Sequence, residues 1–179
     1  MSVSAVARQP KEHMTNDLAA LFRQLTLGVY VVGVAQGERR NAFTAAWITQ
    51  VSFDPLLLAL SINPRNASYQ LLHESGAFVV SVLKADQLDL ARHFGIPSPG
   101  SPDKLAAVRW QPGRNGAPIL QEGLAYFDCE MTARMRTGDH ELVIGRVMDG
   151  RILDAAASPL LYQTTGDLDG SATLYPASF

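Results

Sequence analysis

This sequence predicts a mainly β protein: an antiparallel barrel decorated by a few short helices. Two observations carry that expectation. Apolar, β-branched runs of strand length recur at 27–35, 56–62 and 77–83. The stretch 124–136 alternates apolar with polar residues, and after the turn Thr137-Gly138-Asp139 a run of similar length returns as HELVIGRVMDGRIL, so two long strands form a hairpin. Many strands joined by turns, with few helices between them, make a barrel rather than a parallel α/β sheet.

Residues 1–14 read as a loose tail ahead of one domain, 15–179. Thr15 or Asn16 caps a first helix, in which Leu18, Leu21, Phe22 and Leu25 recur at helical spacing until Gly28. LGVYVVGVA (27–35) is apolar on both parities, a strand covered on both faces. Gln36-Gly37-Glu38 turns the chain into a return strand, RRNAFTAAWITQVSF, which Asp54-Pro55 breaks. LLLALSI (56–62) is a buried strand, and 63–66 a turn. Asn66 or Ser68 caps a helix to about Glu74. AFVVSVL (77–83) is a strand, ADQLDLARHF (85–94) a helix, and 95–100 a loop rich in Pro, Gly and Ser. In the long alternating strand, the odd positions from Ala125 to Met135 face the core and the even ones face water. PLLYQ (159–163) is read as a last short strand.

The chain has 179 residues, 47% of them hydrophobic and 18% charged, with a net charge of −2. This suits a globular domain and makes nucleic acid or a polybasic membrane contact a poor expectation. No run approaches the roughly 18 apolar residues of a membrane span, and the N-terminus lacks the apolar segment of a secretory signal. The apolar excess suits burial against a second copy. One cysteine, Cys129, leaves no disulfide framework, fits a cytoplasmic setting, and reads as an inert core residue on the apolar face of its strand. The four histidines have no ligand spacing, so no metal site is expected. GxGxxG, Walker A, HExxH and GxSxG motifs are all missing. The chemistry is therefore expected to come from a borrowed cofactor.

Three segments taken together resemble one family. RNAFTAAWITQVSFDPLLLALSINPRNASYQLLHESGAFVVSVL, GAPILQEGLAYFDCEM and GDHELVIGRV follow the order and spacing of the flavin reductase-like family, whose fold is the FMN-binding split barrel. Its usual forms run N-G-M-T-A-S, V-S-x-x-P, S-G-x-F-x-V-N-V-L and G-D-H-x-x-x-x-G-x-V. The resemblance implies a homodimer that binds FMN or FAD near its interface and reduces it with NADH or NADPH. Many relatives hand reduced flavin to a separate monooxygenase. Two other readings stay open: an FMN-holding electron carrier, and a barrel that binds another small ligand without turnover.

The resemblance also implies a site. Thr44, Ala45 and Ala46 leave room for a flat ring against main-chain N–H and C=O groups, although small residues also serve barrel packing. Trp47 either packs on the dimethylbenzene end or fills the core. Ser61 and Ile62 offer backbone to the flavin tail. Asn63, Arg65, Asn66, Ser68 and Tyr69 stand where the family holds the phosphate or ribityl chain, at the start of a helix with free N–H groups; a capped helix with a solvent-facing Arg65 is the alternative. His140 is the catalytic candidate, as donor or proton carrier near the nicotinamide, against a structural histidine. Phe94 borders the flavin, and Arg92 or Lys104 meets nicotinamide phosphates. The chain departs from the pattern at Ala42, Phe43 and Ala46, where relatives have Gly, Met and Ser.

Overall fold

The computed structural model describes residues 17–96 and 103–178; the expectations for the 1–14 tail, for capping by Thr15 or Asn16, and for the loop at 97–100 lie outside them. The elements are α1 (Leu18–Phe22), β1 (Tyr30–Gln36), β2 (Arg39–Ala45), β3 (Ile48–Ser52), β4 (Leu57–Ile62), α2 (Tyr69–Ser75), β5 (Ala77–Val82), α3 (Leu88–Gly95), β6 (Trp110–Pro112), β7 (Pro118–Leu120), β8 (Ala125–Thr137) and β9 (His140–Ile152). Seven strands form one antiparallel sheet in the order β2-β1-β5-β8-β9-β4-β3, and β6 pairs with β7 apart from it.

The order itself demands a barrel. β2 and β3 end the list on opposite sides, yet only Ala46 and Trp47 separate them in the chain. Laid flat, seven strands about 4.8 Å apart would part the end strands by roughly 29 Å. The chain from Ala45 to Ile48 reaches at most about 11 Å, so the sheet curls until its ends nearly meet. The expected single return strand is therefore two strands belonging to opposite edges. Trp47 still serves the ladder, its carbonyl accepting from the Ser61 N–H at 2.9 Å.

The prediction that 27–35 is covered on both faces holds for β1, and the structure shows by what. Val32 and Val34 point into the barrel with Phe43, Leu60, Phe78, Cys129 and Val143, where α2 closes the end with Leu71 and Leu72. Val31 points outward, under Ala91 and Phe94 of α3, and Ala35 meets Ile119 of β7. Two layers outside the barrel, one helical and one the β6–β7 hairpin, thus bury its outer face.

Other expectations are corrected. Helix α1 stops at Phe22, well short of Gly28, and Asp17 caps it, its carboxylate accepting from the Ala20 N–H at 3.1 Å. The alternation in β8 fails at both ends. Tyr126 and Asp128, expected in water, are buried because the β6–β7 hairpin covers them, and Asp128 Oδ2 accepts from the Arg114 N–H at 2.6 Å. Met135, expected in the core, is 60% exposed because the tip of the β8–β9 hairpin runs past the barrel. Register shifts at Asp128/Cys129 and Met131/Ala133 break the strict period between these regions. PLLYQ forms single bridges, Lys84 to Pro159 and Gly28 to Leu161, and then a 3-10 turn at Tyr162–Thr164 rather than a strand.

Candidate active site

The end of β2, the last turn of α3 and the chain after Tyr162 enclose a hollow of about 680 Å³, inside the range of about 300–1,000 Å³ typical of ligand pockets. Thr44, Ala45 and Ala46 form one wall, Arg92, Gly95 and Ile96 a second, and Tyr162, Thr165 and Leu168 a third. The local sequence dictates this shape. Ala42 and Phe43 turn into the two cores, so the two departures there alter packing and leave the hollow untouched. Thr44 spends its hydroxyl on α3, donating to the Ala91 carbonyl at 2.7 Å, which docks the helix as the second wall. Ala45 and Ala46 then line the hollow with no side chain beyond Cβ.

Sequence reasoning missed the third wall. Asp167 is tied to Arg23 at 2.9 Å, the Tyr162 hydroxyl donates to Asp169 at 2.9 Å, and Phe22 stacks on Tyr175 at 5.4 Å. The stretch TTGDLDG was the available signal, since its glycines at φ near +65° (Gly166 +66°, Gly170 +64°) mark two turns that fold the chain back onto the hollow.

A second, smaller hollow of about 340 Å³ lies across the Ala46–Trp47 link, lined by Trp47, Ser61, Leu142, Phe22, Leu25 and Tyr162. Tyr162 lines both. Trp47 is 44% exposed and packs on the His140 ring at 4.8 Å, so it does not fill the core.

His140 lines neither hollow but stands behind Trp47. Its Nδ1 lies 2.9 Å from Asp139 Oδ1. A carboxylate there needs Nδ1–H, which leaves Nε2 an acceptor in the neutral ring and a donor only in the cation. The His140 bond, then its charge, and further off the Arg65 charge hold the Asp139 carboxyl below the usual carboxylate range.

The turn at 63–68 satisfies most of its own donors. Asn63 Oδ1 accepts from the Arg65 N–H at 2.9 Å, and Asn66 Oδ1 from the Ser68 N–H at 2.8 Å. The N–H groups of Asn66 and Tyr69 go to the Asn63 and Asn66 carbonyls. Fewer free amides remain than a bare helix start would offer. Ser68 holds the cap position without a side-chain cap, its hydroxyl buried and unpaired. Tyr69 is committed elsewhere, donating to Glu141 Oε2 at 3.3 Å. Behind it, Arg134 Nη1 lies 2.9 Å from His73 Nδ1, and His73 Nε2 lies 2.7 Å from Glu141 Oε1 without hydrogen-bond alignment. This cluster, unseen in the sequence, ties α2 to the β8–β9 hairpin.

Two candidates, Phe94 and Lys104, sit differently from expectation. Phe94 is 1% exposed and packs in the core under α3, so it does not border the hollow. Ile62, of which only the backbone was expected to serve, has its side chain buried at 2% exposure. Lys104 is turned inward, its Nζ donating to the carbonyls of Phe94 at 3.1 Å and of Ile96, where no external phosphate reaches it. Arg92 does line the hollow, paired with Asp89 at 2.9 Å. Cys129 is fully buried and its thiol is pushed up to about 12 by burial first and then by Asp128. Among the described residues no His, Cys, Asp and Glu cluster fits a metal ion, and no helix is long and apolar enough to cross a membrane.

Comparison with known proteins agrees with this architecture. The profile of the flavin reductase like domain matches residues 22–169. The diflavin flavoprotein A 1 of Synechocystis is 30% identical over 154 residues, 86% of this chain and 27% of that protein. The chain thus spans about a quarter of such relatives' length. Among solved structures, the Streptomyces globisporus NADH:FAD oxidoreductase SgcE6 superposes with a TM-score of 0.77 at 30% identity, over 91% of this chain and 96% of that one. BorF, the flavin reductase component of a bacterial two-component tryptophan halogenase, superposes at 0.75 and 33% identity, over 83% and 92%. With its split-barrel fold, its hollow beside residues 44–46 and a family match across most of its length, the chain belongs to the flavin reductase-like domain family.

Proposed function

We propose that the chain is an NAD(P)H-dependent flavin reductase acting on FMN or FAD. The observation that carries this reading is the first hollow, where two consecutive alanines line a cavity of ligand size in a chain of this family. A flavin held beside Thr44, Ala45 and Ala46 would supply the acceptor for a hydride, with its two electrons, given up by the C–H bond of NADH or NADPH.

The chain's own residues bind, orient and shield. The main chain of Ala45 and Ala46 meets the polar edge of the ring, and its N–H groups stabilise charge gained on reduction. Ala46 lacks the hydroxyl usual in relatives, a loss worth about 0.5–1.5 kcal/mol, which binding survives. The Tyr162–Leu168 wall excludes water. The phosphate end is assigned to the turn of Arg65, which makes no salt bridge among the described residues although its charge is felt by Asp139. His140 serves beyond Trp47 as the proton-carrying group.

Exposed Val51, Phe53, Leu56 and Met135, which are 50%, 85%, 53% and 60% accessible, suit burial against a second copy, so we read the active form as a homodimer. The halogenase component among its structural relatives supports delivery of reduced flavin to a partner monooxygenase or similar enzyme.

The test is nicotinamide oxidation by the purified protein with FMN, with FAD and with no added flavin. Turnover that requires added flavin supports the reductase. Protein that binds neither flavin and oxidises neither NADH nor NADPH would refute it. Ala45→Leu fills the hollow and abolishes flavin binding if the ring lies there.

A further inference from the structure

Lys104 is a buried cation that the reading above leaves unused. It opens the 3-10 turn Lys104–Ala107 and is only 6% exposed. Its ammonium donates to the carbonyls of Phe94 and Ile96, which end α3, and among the described residues it has no carboxylate partner. The same region is bolted down by His93, whose Nε2 lies 2.8 Å from the Lys104 carbonyl. Burying a charge without a counter-charge is costly. The negative end of the α3 dipole offsets about half a unit of it, so a residual positive field remains. Packing alone would be served by an apolar residue.

The position of this charge gives it a use. Gly95 and Ile96, the residues around its acceptors, line the first hollow, so the ammonium stands one residue behind the α3 wall. The other charges on the hollow are neutralised or wet. Arg92 pairs with Asp89, Asp167 pairs with Arg23, and Asp169 is exposed to screening solvent. Lys104, being dry, acts through a lower dielectric than any of them.

We infer that Lys104 stabilises the anionic reduced form of a flavin in the hollow, by holding an uncompensated positive charge behind its α3 wall. The inference rests on the reading that the flavin ring occupies that hollow. Hydride transfer to neutral oxidised flavin makes an anion, so a fixed cation favours product over substrate. For an assumed separation on the order of 8 Å and an effective dielectric near 20, a unit charge halved by the helix end is an effect of roughly six-fold on the ratio of dissociation constants.

The experiment is anaerobic titration of the full chain with oxidised and with dithionite-reduced FMN and FAD. Wild type, Lys104→Gln and Lys104→Arg are compared. Gln keeps an amide donor for the carbonyls and loses the charge; Arg keeps the charge. In Lys104→Gln the ratio of reduced to oxidised dissociation constants should rise about six-fold, equal to about 23 mV for a two-electron couple. In Lys104→Arg it should stay near the wild-type value. A folded Lys104→Gln protein with an unchanged ratio overturns the inference, as does an equal rise in both variants, which would mark a packing effect. If Lys104→Gln does not fold, the wild type decides: tighter binding of reduced than of oxidised flavin supports the inference, and the reverse overturns it. Ala45→Leu separates the two claims. If it leaves flavin binding intact, the ring is not in the hollow and both fall; if it abolishes binding while the ratio ignores Lys104, only the role of Lys104 falls.

Discussion

Gly145→Ala tests how the barrel is interlocked. A Cβ on Gly145 would sit 2.5 Å from Phe78 Cζ, 2.8 Å from Phe78 Cε1 and 3.0 Å from Cys129 Cβ. Phe78 and Cys129 are both fully buried in the barrel core, so neither side chain has space to retreat. Overpacking of this kind costs about 1–3 kcal/mol. For a domain of this size each kcal/mol lowers the melting temperature by about 2–4 °C, so a fall of about 2–12 °C is expected. The residues at stake are the last Gly of the G-D-H-x-x-x-x-G-x-V segment and the Phe of S-G-x-F, so two family motifs form one packing pair. Phe78→Leu removes the ring edge, and in that background Gly145→Ala should cost markedly less. Thermal unfolding of the four proteins by circular dichroism measures the coupling. Additive effects, or an unchanged melting temperature in Gly145→Ala, would refute the interlock.

Other outcomes are expected from the site and core. Thr44→Val removes the 2.7 Å bond to Ala91 and should cost about 0.5–1.5 kcal/mol in thermal unfolding, whereas Thr44→Ser keeps the bond and most of the stability. Equal losses would mean that the hydroxyl does not dock α3. His140→Ala should slow flavin reduction in rapid-mixing experiments more than it weakens flavin binding. It should also let the Asp139 carboxyl rise toward its ordinary range, read by NMR titration. Because the folded Asp139 value is depressed, its stabilising share is present above its unfolded pKa and is lost as the pH falls through the folded one. An unmoved Asp139 in His140→Ala would rule out their coupling. Cys129, with its thiol pushed up to about 12 and no exposure, should resist a thiol-specific disulfide reagent until the protein is unfolded. Prompt labelling of native protein would contradict its burial.

The sequence showed most plainly where burial is two-sided or turns are short. The runs that became β1 and β5 are apolar on both parities because a barrel interior and an outer layer both cover them, and a run of that kind survives any register. The β8 alternation misled because it records one strand against two environments: under the β6–β7 hairpin at Asp128 and beyond the barrel at Met135. The break at Ala46–Trp47 was invisible because both residues are compatible with a continuous strand, and only the closure of the sheet sends the chain across. Small residues at 44–46 pointed to a cavity, and the hollow is there. The third wall showed only in the turn glycines Gly166 and Gly170, because the Arg23–Asp167 contact that holds it joins segments distant in the chain; the inward turn of Lys104 was not readable, since it depends on how the chain folds back onto the carbonyls of Phe94 and Ile96.

The two-residue link from β2 to β3 is also the partition between two chambers. Ala46 faces one side of it and Trp47 the other, with Tyr162 touching both compartments. Because Tyr162 lines both chambers, a change of side chain there alters two walls at once, whereas Arg92 and Leu142 each line one chamber only.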